Sequence, residues 1–306
     1  MYLGIDTSNY TTSAALVDGL ECRRDVRQLL TVAAGSLGLR QSDALFQHVK
    51  NLPGIVEKIF ADQSSAAIRA VAASTRPREA EGSYMPCFLA GEGLGRSLAS
   101  ALKVPFYAFS HQQGHIAAVL FSAGKLAWRE RRFLAWHLSG GTTELLLVEP
   151  KDRAFTARRI GGTTDISAGQ LIDRTGRRLG LAFPSGREID KLALSADDRQ
   201  LFRVKTGELS FSFSGLENKM NALAEQGASA ENVAYFVLRS VSEAVKQTTA
   251  DAMRIYPGAP VLFSGGVSSS KLLRSVCAEF EPVFSEPSLS TDNAVGAAVL
   301  AQLQEG

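Results

Sequence analysis

The sequence predicts an α/β fold made of two related halves, each built on a largely parallel sheet. Three observations carry this. Short apolar runs such as Ala70-Val-Ala-Ala-Ser74, Val104 to Phe109 and Pro260-Val-Leu-Phe-Ser264 alternate with stretches of helical period, the pattern of strands joined by crossover helices. The opening segment returns later in the chain. Laying Thr11-Thr12 over Thr142-Thr143 sets Ile5-Asp6-Thr7-Ser8 over Trp136-His137-Leu138-Ser139, and Ala14 to Val17 over Leu145 to Val148. Finally, 306 residues fit two domains at a prior of roughly 150 residues each. The expected boundaries are 1–130 and 131–306, with the last helix, 292–306, packing back on the first lobe.

Taken in order, Leu3 to Gly19 reads as strand, hydroxyl-rich turn, strand, and a turn at Asp18-Gly19. The first turn displays Asp6, Thr7, Ser8, Asn9, Thr11 and Thr12. Backbone N–H groups and hydroxyls there suit a phosphate, and a carboxylate at the base can hold a metal or orient water. An ordinary β-hairpin is the simpler reading. Two such hairpins, one near the start of each half, imply a nucleotide held between two lobes. Gln41 to Phe60 has helical period with Leu45, Val49, Leu52, Val56 and Ile59 on one side, and Pro53 is expected to kink or split it. Strand 70–74, loop 75–83, a helix around Leu89 to Leu102 and strand 104–109 lead to His111-Gln-Gln-Gly-His115.

Two of the four histidines sit in that stretch. An i, i+4 pair at a helix start places both imidazoles on one face, within reach of one metal ion, although partly exposed polar histidines show the same spacing. Gln112 stands where a zinc protease of H-E-x-x-H type has its glutamate base, so a protease reading loses its base. Beyond the second hairpin come Ile160-Gly-Gly-Thr-Thr-Asp165, a helix Ala168 to Leu179 carrying Asp173, and a loop from Phe183 to Asp190. Leu209 to Gly215 alternates like a strand, and a helix follows from about Val233 to Tyr256. The strand at 260–264 then enters Gly265-Gly266 and a helix, a geometry that allows close approach by a nucleotide. Ser290-Thr-Asp-Asn-Ala294 caps the last helix.

Composition narrows the function class. The apolar fraction of 45% and charged fraction of 21% are ordinary for a globular chain. A net charge of +2 does not announce a nucleic-acid binder, and the clusters at Arg129 to Arg132 and Arg174 to Arg178 read first as solvated surface. Cys22, Cys87 and Cys277 lie far apart without C-x-x-C, which fits a reducing compartment and argues against a thiolate zinc site. The first residues run straight into a strand and no window reaches the roughly 20 apolar residues of a membrane helix. The expected location is therefore cytoplasmic, with no membrane partner.

Gly4-Ile-Asp-Thr-Ser8, His111-x3-His115, Ser139-Gly-Gly141, Asp173, Phe183-Pro-Ser-Gly186 with Asp190, Ser212-Phe-Ser-Gly-Leu216, Ser264-Gly-Gly-Val267 and Thr291-Asp-Asn293 occur in this order. Together they resemble the tRNA threonylcarbamoyladenosine transferase family (TsaD), known also as the O-sialoglycoprotein endopeptidase or peptidase M22 family, over nearly the whole chain. The resemblance implies a duplicated actin/hexokinase-like (ASKHA, ribonuclease-H-type) two-lobe fold with a nucleotide and metal cleft between lobes. It implies a metal-dependent acyltransferase moving threonylcarbamoyl from threonylcarbamoyl-adenylate to a tRNA adenosine. By the same resemblance, one divalent metal, iron or else zinc, is held by His111, His115 and Asp292, with His137 as a further candidate ligand. ATP, ADP or an acyl-adenylate would be bound by residues drawn from Asp6, Ser8, Thr11, His137, Leu138, Ser139, Gly140, Gly141, Asp173, Gly186, Asp190, Gly265, Gly266 and Ser270. Partners would be tRNA and the proteins of the threonylcarbamoyladenosine complex or a homologous subunit.

The chain also departs from the family pattern, as a divergent paralogue would. Thr142 stands where the family has His or Asn, Gly162 and Gln170 replace glutamates, Glu217 replaces a lysine, and Ser270 replaces an asparagine. Arg76-Pro-Arg-Glu-Ala-Glu-Gly-Ser-Tyr84 replaces a Gly-Pro-Gly loop. Two alternatives follow: the same cleft with a different acyl, carbamoyl or phosphoryl acceptor, or a non-catalytic partner subunit.

Overall fold

The computed structural model describes residues 1–8, 10–32, 39–61, 67–286, 289 and 292–306, so the readings at Asn9, Ser290 and Thr291 lie outside it. Contacts divide the chain into two compact units, one of residues 1–131, 149–157 and 291–306, the other of 132–148 and 158–290.

In the first unit, β1 (Tyr2–Asp6), β2 (Thr11–Asp18), β3 (Glu21–Leu29), β4 (Ala70–Arg76) and β5 (Phe106–Ser110) form a sheet in the order β3-β2-β1-β4-β5. The first three strands are antiparallel neighbours, and β4 and β5 join in parallel. β1 is buried along its whole length, which requires cover on both faces. Leu3 and Ile5 pack in one core with Leu52, Ile55 and Ile59 of α1 (Gln41–Phe60) and Ala90 and Ala99 of α2 (Phe88–Leu102). Gly4, pointing the other way, lies against α9 (Val295–Glu305), which also packs on α3 (His111–Ser122).

Two expectations about α1 differ from the structure, and one strand is new. Of the two outcomes expected at Pro53, the split does not occur: α1 is one helix with the proline inside it, which removes one hydrogen bond, while the helix on either side buries Leu52, Ile55 and Ile59. Its buried stripe is Ala44, His48, Leu52, Ile55 and Ile59, whereas Val49 is exposed. β3 was not foreseen, because its charged, mostly exposed sequence is that of an edge strand, where charge discourages further pairing.

In the second unit, β6 (Phe133–Leu138), β7 (Thr143–Lys151), β8 (Ala154–Thr163), β9 (Thr206–Gly207), β10 (Ser210–Phe211), β11 (Val261–Ser264) and β12 (Val283–Phe284) give the order β12-β11-β6-β7-β8-β10-β9. Its run β8-β7-β6-β11-β12 repeats the order of the first sheet. The register repeats too: Ile5 faces Ala14 in one hairpin and Trp136 faces Leu145 in the other, the pairs that the sequence overlay aligns. Trp136, Phe211, Phe213 and Phe263 fill its core together with α6 (Ser214–Glu225) and α7 (Ala230–Ile255).

The alternating run 209–215 yields only the two residues of β10. Asp165 accepts hydrogen bonds from the backbone N–H of Phe213 and of Ser214 and so starts α6 early. The expected loop from Phe183 to Asp190 turns into α5 (Gly186–Leu194) at Gly186, with Ile189 and Ala193 buried. Gly265 leads from β11 through a 3-10 turn at Gly266–Ser269 into α8 (Lys271–Val276).

Candidate metal centre

The site in the first unit is built at the carboxyl ends of β1, β4 and β5. α3 begins at His111 because Ser110 caps it: its hydroxyl accepts from Gln113 N–H, and the Gln113 side chain accepts from Ser110 N–H. The S-x-x-Q spacing of Ser110 and Gln113 is the sequence signature of such a box. A helix starting there stacks His111 and His115 one turn apart, with their Nε2 atoms 2.9 Å from each other. His111 turns its Nδ1 to Asp6 Oδ2 at 2.8 Å. Asp6 is itself fixed, since Ser74 Oγ donates to the same oxygen, and Ser8 donates to Oδ1 from its backbone N–H at 3.0 Å and from its hydroxyl.

Asp292 arrives from the segment just before α9. Its Oδ1 lies 3.4 Å from His111 Nε2 and 3.6 Å from His115 Nε2. α9 reaches this position through glycine: a Cβ on Gly296 would sit 1.7 Å from the carbonyl oxygen of Gly114, the residue before His115. Asn293 Oδ1 accepts from Val295 N–H and shapes the turn into the helix. Among the described residues, His111, His115 and Asp292 form a group whose donor atoms all lie within 4.8 Å of one another. Ligand atoms of a tetrahedral ion with bonds of about 2.0–2.1 Å are about 3.3 Å apart, so the set fits a divalent metal.

Electrostatics sharpen the site. Burial opposes charge on His111, but the Asp6 and Asp292 carboxylates outweigh it and raise the imidazole to about 10. Burial and the neighbouring His111 charge push His115 down. Burial acts against charge on Asp292, yet the two histidines hold it well below the usual carboxylate range, and His111 does the same for Asp6 to a lesser degree. With Asp6 and Asp292 held as carboxylates, His111 therefore carries the extra proton and His115 stays neutral.

The hydroxyls of the first turn are spent inside the protein. Thr7 Oγ1 donates to Cys87 O, Ser13 Oγ donates to Asp6 O, and Thr12 Oγ1 lies 2.9 Å from His48 Nδ1. His48 thereby ties α1 to β2, and Thr11 is buried.

The remaining candidates belong to the second unit. His137 pairs across the ladder with Ser264, and its Nδ1 lies 3.1 Å from Ser264 Oγ. It is not a member of the three-donor group. Leu138 is buried in β6, and the turn after it exposes Gly140 and Gly141, with Ser139 Oγ accepting from Thr142 N–H at 3.1 Å. Gly265 adopts φ +87°, and a Cβ there would lie 2.3 Å from Leu138 O, so the backbones following β6 and β11 meet closely. Asp173, on α4 (Ala168–Arg178), accepts from Ser185 N–H at 2.8 Å, just before Gly186, and burial raises its pKa. Asp190 accepts from Ser270 Oγ at 2.5 Å and from Lys271 N–H at 3.0 Å.

Two of the substituted positions have visible jobs. Gln170 completes a capping box with Ser167 at the start of α4, and both carboxylate oxygens of Glu217 accept from Arg174 Nη1, at 3.0 and 2.9 Å.

Residues 37–299 match the family model of TsaD, tRNA N6-adenosine threonylcarbamoyltransferase. The chain belongs to this family. A relative in Granulibacter bethesdensis, named tRNA N6-adenosine threonylcarbamoyltransferase, is 32% identical over 96% of this chain and 85% of its own. Solved structures show the fold. Component A of the (R)-2-hydroxyglutaryl-CoA dehydratase of Acidaminococcus fermentans aligns with TM-score 0.59 at 15% identity, covering 98% of this chain and 96% of that one. A ROK family glucokinase of Streptomyces griseus, solved with glucose and AMPPNP, aligns with TM-score 0.56 at 13% identity, covering 100% and 99%. The TsaD-family chain is thus an α/β protein of the actin/hexokinase-like class. Among the described residues, no helix is long and apolar enough to cross a membrane.

Proposed function

We propose that this chain transfers a threonylcarbamoyl group from threonylcarbamoyl-adenylate to N6 of a tRNA adenosine, using one divalent metal held by His111, His115 and Asp292. The observation that carries the reading is that donor group, set at strand ends in a chain of this family. Two imidazoles and one carboxylate suit iron(II) or zinc. The bound ion would supply Lewis acidity toward acyl or phosphate oxygens.

In the reaction the adenosine amine forms a bond to the carbamoyl carbon, the carbon–oxygen bond to the adenylate phosphate breaks, AMP leaves, and the amine gives up a proton. The chain's own residues set the stage. Asp6 accepts Nδ1–H of His111 and so fixes the tautomer that presents Nε2 to the site, while Ser74 and Ser8 hold Asp6 in place. In the second unit, Gly140, Gly141, Gly265 and Gly266 offer backbone to the nucleotide, and Asp173, Gly186, Asp190 and Ser270 frame it. His137 reads best as a strand histidine bonded to Ser264, so His137→Ala should leave metal affinity within about twofold of the parent. A larger loss in a metal-competition titration would restore it as a ligand.

The structural roles of Gln170 and Glu217 weaken the case for a different acceptor, because a capping amide does the work of a capping glutamate and Glu217 is neutralised by Arg174. The deciding experiment is a single-turnover reaction of metal-loaded protein, threonylcarbamoyl-adenylate and an ANN-decoding tRNA, with and without the family's partner proteins. Modified adenosine detected by mass spectrometry is expected. Its absence where an ordinary family member succeeds would move the reading to another acceptor.

A further inference from the structure

The loop that replaces the family's Gly-Pro-Gly opens with a cation, Arg76, whose backbone pairs beside the start of α3 and which the proposed function does not use. β4 ends at Arg76, and a register slip between Ser74 and Arg76 brings Arg76 opposite Ser110, the residue that caps α3 and precedes His111. Two residues earlier, Ser74 bonds to Asp6, the partner of His111. The loop beyond Arg76 is anchored at three points. Pro77 O accepts from Gln112 N–H at 3.1 Å, Ser83 Oγ accepts from Arg78 N–H at 3.1 Å, and Glu79 accepts from Thr156 Oγ1 and Ala157 N–H. Glu79 is thereby engaged by these two donors. Among the described residues, the guanidinium of half-buried Arg76 makes one long contact, 3.4 Å to Thr75 Oγ1, and no carboxylate pairs with it.

A guanidinium that has lost part of its hydration without gaining a counter-ion is poised for one, and its planar fork matches the oxygens of a carboxylate or phosphate. Its position is also where such folds collect ligands, at the carboxyl ends of parallel strands. With a divalent ion on the three donors and His111 neutral, Asp6 and Asp292 cancel the ion's charge, so Arg76 leaves the site with one net positive charge. We propose that Arg76 is a specificity residue of this chain that binds an oxyanion of the donor substrate, its carboxylate or its phosphate, next to the metal centre. This rests on the proposed transferase reading, in which the donor carries both groups.

The test is equilibrium binding to the metal-loaded full chain of two probe pairs that differ in one charge: N-carbamoyl-L-threonine against its methyl ester, and AMP against adenosine. The parent protein should prefer the charged member of one pair by at least tenfold. Arg76→Gln should erase that preference while keeping the parent's metal affinity in a chelator-dye titration, and Arg76→Lys, which keeps charge but not the fork, should retain part of it. Loss in the first pair assigns the carboxylate, and loss in the second assigns the phosphate. A parent with no preference in either pair, or an Arg76→Gln protein with the parent's preferences, overturns the proposal. No tRNA enters this assay, so failure of the parent to modify tRNA would overturn the acceptor and not the anion site.

Discussion

At the scale of single residues, the site depends on where one proton sits. Asp6 is one bond removed from the metal donors, yet it decides which nitrogen of His111 faces them. Asp6→Asn should therefore lower metal affinity by about 10–100-fold, the usual cost of losing an orienting carboxylate, with little change in fold. Unchanged affinity in a competition titration would mean that the histidine is held by its helix alone. The pH dependence follows from the same group. Because His111 is raised to about 10 when metal-free, its ion pairs stabilise the apo chain fully below the unfolded pKa near 6.5 and are lost as pH rises through 10. The depressed carboxylates act in the opposite sense, and their contribution vanishes as pH falls below the ordinary carboxylate range. On the proposed function a bound metal would displace the proton on His111 Nε2, so apparent affinity should rise about tenfold per pH unit between pH 6 and 8. A flat profile over that window would show that His111 is neutral before the ion arrives.

At the scale of elements, the candidate donor set depends on α3 and the segment entering α9 being brought together through glycine. Gly296 leaves no room for a methyl group against Gly114 O, whereas Gly54 in α1 has nothing within 4 Å. Gly296→Ala should push α9 from α3, costing about 1–3 kcal/mol by overpacking, and should weaken metal binding more than tenfold by displacing Asp292. Gly54→Ala, the matched control, should stabilise the chain by about 0.5–1 kcal/mol and leave metal binding alone. Thermal melts and metal titrations of both variants decide this, and equal metal affinity in the two would show that α9 does not set the site. Elements of this kind were read unevenly from the sequence. α1, α2, α7 and the strands at 70 and 261 announced themselves by period and by bounded apolar runs. β3 did not, because an edge strand buries little and its charges hide the alternation. The sequence predicts a loop where α5 begins, since Pro184-Ser-Gly186 carries the signals of a turn. The histidine pair was visible as i, i+4 spacing, but the role of Asp6 was not, because it comes from a contact 105 residues away in sequence.

At the scale of the molecule, duplication is the feature the sequence conveyed most directly, because register sets which face of each strand is buried and so preserves the alignment of the two hairpins. What it concealed is how differently the copies use the same frame. The first hairpin buries its hydroxyls around Asp6, and the second exposes Gly140 and Gly141. The candidate metal donors all lie within the unit of residues 1–131, 149–157 and 291–306, which has a hydrophobic core of its own. Metal binding should therefore stabilise that unit in proportion to RT ln(1 + [L]/Kd), and at a free ion concentration 100 times Kd the gain is about 2.7 kcal/mol. Hydrogen exchange read by mass spectrometry separates the two units. Removing metal with a chelator should speed exchange in α3, α9 and β1, whose packing joins the donors, while α7 and β6, in the core of the other unit, keep their protection. Equal acceleration in both would mean that the units open as one cooperative body and that the ion's energy is distributed through the whole chain, in which case Gly296→Ala should loosen α7 as much as it loosens α3.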